Sequence, residues 1–250
     1  MRHHFVDLQP PDHEFNAGEF GRRGRVVIDE IFSRGKVPLV VGGSGLYIQA
    51  LIDGFLDGVS ADLDRRAELY RRLKTEGPVR LLAELARVDP VSAGRMLPSN
   101  TRRIVRALEV YQASGVPISE LQKDRLEVAF HPVLVGLNWD RAALYSRVDR
   151  RVDWMIEEGL VHEVKKLLAK GYPADLNALQ TPGYREMFAF LEGKMSFDEA
   201  VSAMKRETRR YAKRQLSWFR RDTRIRWFQL RNEGEFSAIA SSICSYFLSE

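Results

Sequence analysis

Residues 37–51 read Val37-Pro38-Leu39-Val40-Val41-Gly42-Gly43-Ser44-Gly45-Leu46-Tyr47-Ile48-Gln49-Ala50-Leu51. A run of apolar, mostly β-branched residues leads directly into Gly-Gly-Ser-Gly, and a second apolar run of helical type follows. Short apolar runs of the first kind are typical of buried parallel strands, and the glycines after them mark a tight turn. The stretch therefore predicts a buried strand, a tight loop and the start of a helix, as in α/β proteins.

The loop between the predicted strand and helix is suited to an anion. Gly42, Gly43 and Gly45 allow the backbone to approach a ligand closely, and Ser44 adds a hydroxyl group. The first amides of a helix have no partner within it and point outward. The alternative is an ordinary strand-to-helix turn whose glycines only satisfy the geometry of the chain. The residues of the loop alone leave both interpretations open.

The segments around the loop predict a parallel sheet. Residues 4–8 alternate like a short strand, Asn16 is suited to cap a helix, and residues 23–33 have the apolar spacing of that helix. A helix that feeds the strand at residues 37–41 gives a β-α-β unit, which makes strands parallel. Later α/β elements are predicted as strands at 130–137 and 225–230, a long helix capped by Asp140, and a closing helix at 236–248.

The composition is that of a globular protein. Of the 250 residues, 44% are hydrophobic, which is enough to bury a sizeable core. No run approaches the ~18 apolar residues of a membrane helix, and the first residues lack the apolar centre of a signal peptide, so we expect a cytoplasmic protein with no membrane partner. Cys244 is the only cysteine, and the five histidines show no pairing with carboxylates at ligand spacing. No protein-built metal site is predicted.

Residues 57–129 consist of short helical patterns separated by glycine and proline, which predict a small all-helical insertion. Its longest helix begins at Ser99 or Asn100. The apolar side chains of this helix share one face and the arginines another, the two sets being Ile104, Leu108 and Tyr111, and Arg102, Arg103 and Arg106. A charged helix face is usually only solvated, but three arginines without an intervening acid also fit an anionic partner.

Arg185 lies at the start of another predicted helix, within Thr181-Pro182-Gly183-Tyr184-Arg185-Glu186. The helix dipole mildly disfavours a cation at this position. Arg185 is therefore either turned away to pair with a carboxylate or held there for an anion, and the sequence does not decide between the two.

The basic charge of the chain is concentrated in residues 205–226. This segment has ten basic and two acidic residues, a net charge of +8 within a chain of net charge +5. On a helical wheel, Lys205, Arg206, Arg209, Arg210, Lys213 and Arg214 form one half, whereas Met204, Tyr211, Gln215, Trp218 and Phe219 form the other. A solvated face is the usual explanation, but cations this dense repel one another, so we favour a phosphate backbone as the partner.

In chain order, these segments resemble those of the tRNA dimethylallyltransferases, the isopentenyl-transferring family that modifies the adenosine 3′ of the anticodon. The matching stretches are residues 3–7, 35–47, 89–90, 103–110, 183–186 and 208–220. The resemblance implies an α/β fold whose core, of the kind found in P-loop nucleotide hydrolases, consists of residues 1–56 and 130–250. It also implies that residues 57–129 are the helical insertion and contact tRNA.

The resemblance further implies the roles of individual residues. Gly42, Gly43, Ser44, Gly45 and Arg185 would bind the pyrophosphate of dimethylallyl pyrophosphate, with Ser44 and Arg185 at the reacting centre. The implied tRNA contacts are Arg66, Arg102, Arg103, Ile104, Val105, Arg106, Thr208, Arg209, Arg210, Tyr211, Ala212 and Lys213. Attack of the adenine N6 on the allylic carbon would proceed with Mg²⁺, on an adenine drawn out of its stack, in a protein expected to be a monomer.

One part of the family pattern is absent from these 250 residues. They contain no Gly-x-x-x-x-Gly-Lys-Ser/Thr loop, and no general-base aspartate is identified near a first strand. We therefore expect an amino-terminally truncated family member with exposed apolar sheet-edge surface, which binds tRNA but transfers dimethylallyl groups slowly. The alternative is a non-catalytic tRNA- or RNA-binding remnant, and a small-molecule phosphotransferase is disfavoured.

Overall fold

The computed structural model describes residues 2–54, 62–123 and 128–249. Within these ranges the α-helices are α1 Ala17–Ser33, α2 Gly45–Ile52, α3 Leu63–Glu76, α4 Pro78–Val88, α5 Pro90–Ala93, α6 Thr101–Ser114, α7 Ile118–Leu121, α8 Arg141–Glu157, α9 Leu160–Ala169, α10 Tyr184–Leu191, α11 Phe197–Phe219 and α12 Phe236–Phe247. The strands are β1 Val135–Trp139 and β2 Arg226–Leu230. No helix in the described ranges has the length and apolar character needed to cross a membrane.

The two described strands form a parallel pair. Val135 lies opposite Arg226, and the register continues to Trp139 opposite Leu230. Both strands fall where the apolar runs predict them, although β1 begins five residues after the predicted start at 130. The pair of parallel strands and the run of helices from α3 to α7 confirm the predicted α/β fold class with a helical insertion.

The chain divides into two compact units. The first, called the sheet unit, comprises residues 1–15, 39–45 and 130–250, and the second, called the helical unit, comprises residues 16–38 and 46–129. The predicted domain boundary between residues 56 and 57 lies outside the described residues, so the predicted domain limits stay a prediction.

The sheet unit has its core among α8, α9, α10 and α11. Val152 of α8, Val164 of α9, Met187 of α10 and Met204 of α11 are all buried there. Capping explains where these helices begin, because the Asp140 side chain accepts hydrogen bonds from two backbone amides of α8. The Ser196 hydroxyl and the Glu199 carboxylate form a reciprocal capping box at the start of α11. This core fixes the starts of α10 and α11, on which the candidate site is built.

The helical unit has its core among α3, α4, α5 and α6. Ile104 and Leu108 of α6 are fully buried against Leu81 and Leu85 of α4, as the apolar face of the predicted helix requires. In the same unit Asn16 caps α1 by accepting the amide of Glu19 at 3.0 Å, which confirms the predicted cap.

Two predicted strands are wrong. Residues 37–41 belong to no helix or strand, and the side chains of Val37, Leu39, Val40 and Val41 are 46–84% exposed instead of buried. A strand is held by hydrogen bonds to a neighbour, and in the described ranges β1 and β2 pair only with each other. Residues 4–8 are likewise not a strand, because positive φ angles at Phe5 (62°) and Asp7 (49°) turn the chain.

Candidate anion and nucleic-acid interface

The glycine loop at residues 42–45 lies against the carboxyl-terminal half of α11. A Cβ atom on Gly43 would come within 2.2 Å of the side-chain amide nitrogen of Gln215, and one on Gly45 would come within 2.2 Å of the Trp218 ring. A Cβ on Gly42 would meet nothing within 4 Å. None of these glycines has a positive φ angle. Gly43 and Gly45 therefore leave room for side chains of α11, which supports the alternative of a turn whose glycines only satisfy the geometry of the chain.

Ser44 is nevertheless placed where a ligand can reach it. Ser44 is exposed and directly precedes Gly45, the first residue of α2. The amides at a helix start carry partial positive charge and lack partners within the helix. The packing of Gly43 and Gly45 against α11 and an anion at Ser44 are thus compatible, because Ser44 remains exposed.

Arg185 is held by a carboxylate at the start of α10. Gly183, with φ of +107°, is the cap residue, and its amide donates to Glu186 Oε2 at 2.8 Å. The other oxygen, Oε1, accepts from Arg185 Nε at 3.1 Å and from Nη2 at 2.6 Å. Glu186 is 4% exposed, whereas the Arg185 side chain is 48% exposed. One buried carboxylate therefore caps the helix and orients an arginine whose other donors face solvent.

Both alternatives for Arg185 have a physical basis in this arrangement. It pairs with Glu186, as the first alternative requires, and Glu207 Oε2 lies 3.9 Å from its Nη2. Its exposure leaves donors available for an anion, as the second requires. Gln215, whose side chain lies at Gly43 of the glycine loop, is eight residues after Glu207 on α11. At the rise of an α-helix, eight residues place Glu207 and Gln215 about 12 Å apart along the helix axis. A shared anion at Ser44 and Arg185 stays a prediction.

Tyr184 anchors the beginning of α10 next to Arg185. Its hydroxyl donates to Glu163 Oε1 at 2.5 Å. Burial, and secondarily this hydrogen bond, raise the pKa of Tyr184 to about 12. The phenol is therefore neutral across the physiological range and remains a hydrogen-bond donor.

Some of the α11 cations are neutralised by carboxylates of the same unit. Lys205 Nζ lies 2.6 Å from Asp153, and Arg209 donates to both oxygens of Asp149 at 2.7 and 2.9 Å. Asp149 and Asp153 are one turn apart on α8, so these pairs join α8 to α11. Arg210 donates to Glu207 at 2.6 Å along α11 itself. The predicted cationic face is thus partly an interhelical ion-pair row.

The rest of that face is exposed and unneutralised. In the part of the chain that the structure describes, Arg206, Lys213 and Arg214 are exposed and have no carboxylate at ion-pair distance. Tyr211 and Trp218 were placed on the packing half by the helical wheel, but they are 40% and 38% exposed. The Arg214 guanidinium lies 5.7 Å from the centre of the Tyr211 ring. Cations beside exposed aromatic rings suit single-stranded or looped RNA.

The remaining predicted tRNA residues differ in what they present to solvent. Ile104 and Val105 are buried in the helical core, so their side chains are not available for contact. Arg102 and Arg103 are exposed, whereas Arg66 and Arg106 each lie against the buried Glu109. On α11, the Thr208 hydroxyl donates to the Met204 carbonyl oxygen at 2.7 Å, and Ala212 is half-buried.

The described residues offer little protein-built metal coordination. Within residues 2–54, 62–123 and 128–249, no three histidine, cysteine, aspartate or glutamate side chains are grouped as metal ligands. A magnesium ion bound with a pyrophosphate takes most of its oxygens from the phosphates and from water. The exposed Ser44 hydroxyl fits as a single oxygen ligand of an ion held in that way.

Comparison with known proteins identifies the family. A family model described as IPP transferase matches residues 1–222. The chain belongs to the IPP transferase family. The tRNA dimethylallyltransferase of Pelotomaculum thermopropionicum is 42% identical to it over 243 residues, which cover 96% of this chain and 77% of the relative.

Solved structures of IPP transferases have the same fold as this chain. The full-length tRNA isopentenylpyrophosphate transferase from Bacillus halodurans matches with a TM-score of 0.66 and 37% identity, over 97% of this chain and 77% of that protein. A eukaryotic dimethylallyltransferase described as acting on tRNA matches with a TM-score of 0.75 and 26% identity, over 96% of this chain and 63% of that protein. The chain is therefore a transferase of this family in both sequence and fold.

Sequence reasoning missed the carboxylates that hold the arginines of this IPP transferase. Glu186 lies three residues after Gly183, the spacing of a capping glutamate, and Glu109 lies one helical turn after Arg106. These spacings are readable in the sequence. The pairs between Arg209 and Asp149 and between Arg66 and Glu109 join different helices, and no local signal indicates them.

Proposed function

We propose that this chain transfers the dimethylallyl group of dimethylallyl pyrophosphate to N6 of the adenosine 3′ of the anticodon, in tRNAs that read codons beginning with U. The match of residues 1–222 to the IPP transferase model is the observation that carries the proposal. The relatives named as tRNA dimethylallyltransferases support the substrate pair.

The transfer forms a bond between N6 and the allylic carbon and breaks the bond from that carbon to the pyrophosphate oxygen. N6 loses one proton, which passes to solvent water, and the pyrophosphate leaves with the bonding electron pair. Negative charge therefore grows on the pyrophosphate, where preorganised donors have the largest effect. Arg185, oriented by Glu186 with its remaining donors exposed, is suited to this charge, and Ser44 with the first amides of α2 supplies neutral donors.

Magnesium is part of the proposal. The ion would be held chiefly by the pyrophosphate, with Ser44 as one ligand, and when bound it supplies positive charge to the leaving group. A cytoplasmic location and a monomeric state also belong to the proposal, and both derive from the sequence.

We further propose that tRNA lies on the exposed cations of α11 and on the arginines of the helical unit. Arg206, Lys213 and Arg214 support the first surface because they are exposed and, in the described residues, have no carboxylate at ion-pair distance. Arg102 and Arg103 support the second. Such contacts bind the phosphate backbone whatever its sequence, so the selected adenosine must be recognised by other groups.

The proposal is tested by labelled transfer with the protein in excess over tRNA, which detects even slow chemistry. We expect label from dimethylallyl pyrophosphate in tRNA, and a rate at least about tenfold lower for Arg185→Gln, since one lost donor commonly costs on the order of 10²-fold. Arg150→Gln is the matched control, because Arg150 is an arginine of the same unit with a 70% exposed side chain. Unlabelled tRNA after prolonged incubation would overturn the proposal.

A further inference from the structure

One carboxylate of α11 lies between an arginine in the first turn of α10 and an arginine of α11 itself. Glu207 Oε1 accepts a hydrogen bond from Arg210 Nη1 at 2.6 Å. The other oxygen, Oε2, lies 3.9 Å from Nη2 of Arg185. The side chain of Glu207 is 20% exposed, whereas those of Arg185 and Arg210 are 48% and 61% exposed. A largely buried carboxylate therefore lies beside two arginines that face solvent.

Glu207 is an unexpected residue on a surface suited to polyanions. It is the only acidic residue at positions 205–214, which hold six lysines and arginines. A carboxylate there repels any phosphate that approaches the cations. Its pair with Arg210, a residue three positions later whose side chain is mostly exposed, contributes little to stability. Neither anion binding nor the stability of α11 accounts for Glu207.

Glu186 and Glu207 contact Arg185 in different ways. Glu186 caps α10 and accepts hydrogen bonds from Nε and Nη2 of Arg185, so it holds the guanidinium in place. The Glu207 oxygen is beyond hydrogen-bond distance from Nη2 and acts on it through charge. Because Glu186 takes the side formed by Nε and Nη2, an anion that binds two donors of Arg185 must use the edge formed by Nη1 and Nη2. Glu207 therefore lies beside a donor that such an anion needs.

The product of the proposed transfer carries more negative charge than the substrate. In dimethylallyl pyrophosphate one phosphate oxygen is esterified, and the transfer leaves this oxygen ionisable in inorganic pyrophosphate. Arg185 would therefore hold the product more tightly than the substrate, since the attraction between charges grows with their size. A carboxylate beside Arg185 opposes both anions, and it opposes the product more.

We propose that Glu207 is a positioning residue, which competes with pyrophosphate for Arg185 and so shortens the time for which the product stays bound. The inference rests on the proposed function and adds to it a residue that acts through Arg185 without touching the substrate. Once pyrophosphate has left, Glu207 again neutralises part of the charge of Arg185. Removal of the Glu207 charge must then increase the affinity for pyrophosphate.

The test measures the binding of inorganic pyrophosphate to the full chain, by equilibrium dialysis with labelled pyrophosphate and Mg²⁺. We expect Glu207→Gln to bind it about fivefold more tightly near 0.1 M salt, because charges this close are only partly screened at that ionic strength. A gain of affinity is not a result that loss of structure produces.

Glu158→Gln is the matched control for the change in net charge. Glu158 is an exposed carboxylate at the end of α8, in the same unit as Glu207. We expect Glu158→Gln to keep the pyrophosphate affinity of the unaltered chain.

A double variant shows whether Glu207 acts through Arg185. Arg185→Gln alone should weaken pyrophosphate binding at least about tenfold, as for a lost charge-assisted hydrogen bond. Adding Glu207→Gln to it should restore less than about twofold, because the arginine for which the carboxylate competes is absent. A carboxylate that repelled every nearby anion would give the same gain in both backgrounds. If Arg185→Gln does not fold, the contrast between Glu207→Gln and Glu158→Gln still tests the proposal.

The outcomes distinguish this inference from the proposed function. Unchanged or weaker pyrophosphate binding by Glu207→Gln would overturn the inference alone. An equal gain with and without Arg185, or an equal gain in Glu158→Gln, would do the same. If the unaltered chain binds no pyrophosphate, or binds it no better than Arg185→Gln, the role of Arg185 in the proposed function is wrong and this inference falls with it.

Discussion

The Trp218 ring leaves no room for a side chain at Gly45. A Cβ at this position would lie 2.2 Å from two atoms of the Trp218 ring, and a rigid indole ring can make room only by moving as a whole. At Gly43 the obstruction is the end of the flexible Gln215 side chain, and at Gly42 there is none. The three glycines of one loop therefore differ in their tolerance of a methyl group.

We expect Gly45→Ala to lower the free energy of unfolding by about 1 to 3 kcal/mol, the usual cost of forcing extra atoms into a packed site. Gly43→Ala should cost less, and Gly42→Ala serves as the control with open space around it. Urea unfolding followed by circular dichroism measures the three. Equal midpoints for Gly45→Ala and Gly42→Ala would contradict the packing described for the loop.

Asp89 connects local capping to the pH dependence of the helical unit. Its buried carboxylate accepts the amide of Ser92 at 2.9 Å and the amide of Ser119 at 3.0 Å. Burial acts to raise its pKa, but the hydrogen bonds from Ser119 and Ser92 outweigh burial and hold the pKa below the ordinary value of 3.8. The ionised form therefore stabilises the fold.

The stabilisation from Asp89 should be complete above the ordinary pKa and should vanish as the pH falls through the lowered one. At pH 7 we expect Asp89→Asn to cost about 1 kcal/mol, as for a weakened helix cap, and we expect the difference to shrink toward pH 3. Urea midpoints at both pH values test this, with the exposed Asp64→Asn as control. An equal difference at pH 7 and pH 3 would refute the linkage.

The cations of α11 differ in their partners, and Arg210 pairs with Glu207 of the same helix. Lys205 and Arg209 join α11 to α8 through Asp153 and Asp149. Arg206, Lys213 and Arg214 lack acidic partners in the described part of the chain and remain open to a polyanion. Charge reversal at Arg209 would place a carboxylate beside Asp149 and so mix a loss of stability with any loss of tRNA contact.

We expect the triple variant Arg206→Gln/Lys213→Gln/Arg214→Gln to bind tRNA more weakly, with a salt slope shallower by up to about 3. Lys205→Gln should leave the slope unchanged and lower the unfolding midpoint slightly, as for a partly exposed ion pair. Fluorescence anisotropy with labelled tRNA at four salt concentrations measures both. If the triple variant keeps the slope of the unaltered chain, this face of α11 is only solvated.

The helices could be predicted from the sequence and two of the strands could not, for one physical reason. A helix carries its own signals, such as the Asn16 and Asp140 caps, because its hydrogen bonds are local. A strand depends on a partner that the local sequence does not specify, so residues 37–41 have strand composition without forming a strand. Residues 225–230 have a similar pattern, and β2 is found there because β1 pairs with it.

For the molecule as a whole, the sequence predicts where the basic residues are concentrated, but not which carboxylates neutralise them. The basic segment at residues 205–226 was predictable from composition, since its net charge is +8. Which of its cations are free depended on α8, about 60 residues earlier in the chain. The same holds in the helical unit, where Glu109 reaches Arg66 across 43 residues. The composition of a segment does not show long-range ion pairs of this kind.

The account as a whole is tested most directly by finding which nucleotide of tRNA acquires a dimethylallyl group. The chain is incubated in excess with dimethylallyl pyrophosphate, Mg²⁺ and an unmodified tRNA that reads a codon beginning with U, and nuclease fragments are analysed by mass spectrometry. The account predicts one modified nucleotide, the adenosine 3′ of the anticodon, and no product when guanosine replaces it. Modification elsewhere, or release of pyrophosphate without any modified adenosine, would contradict it.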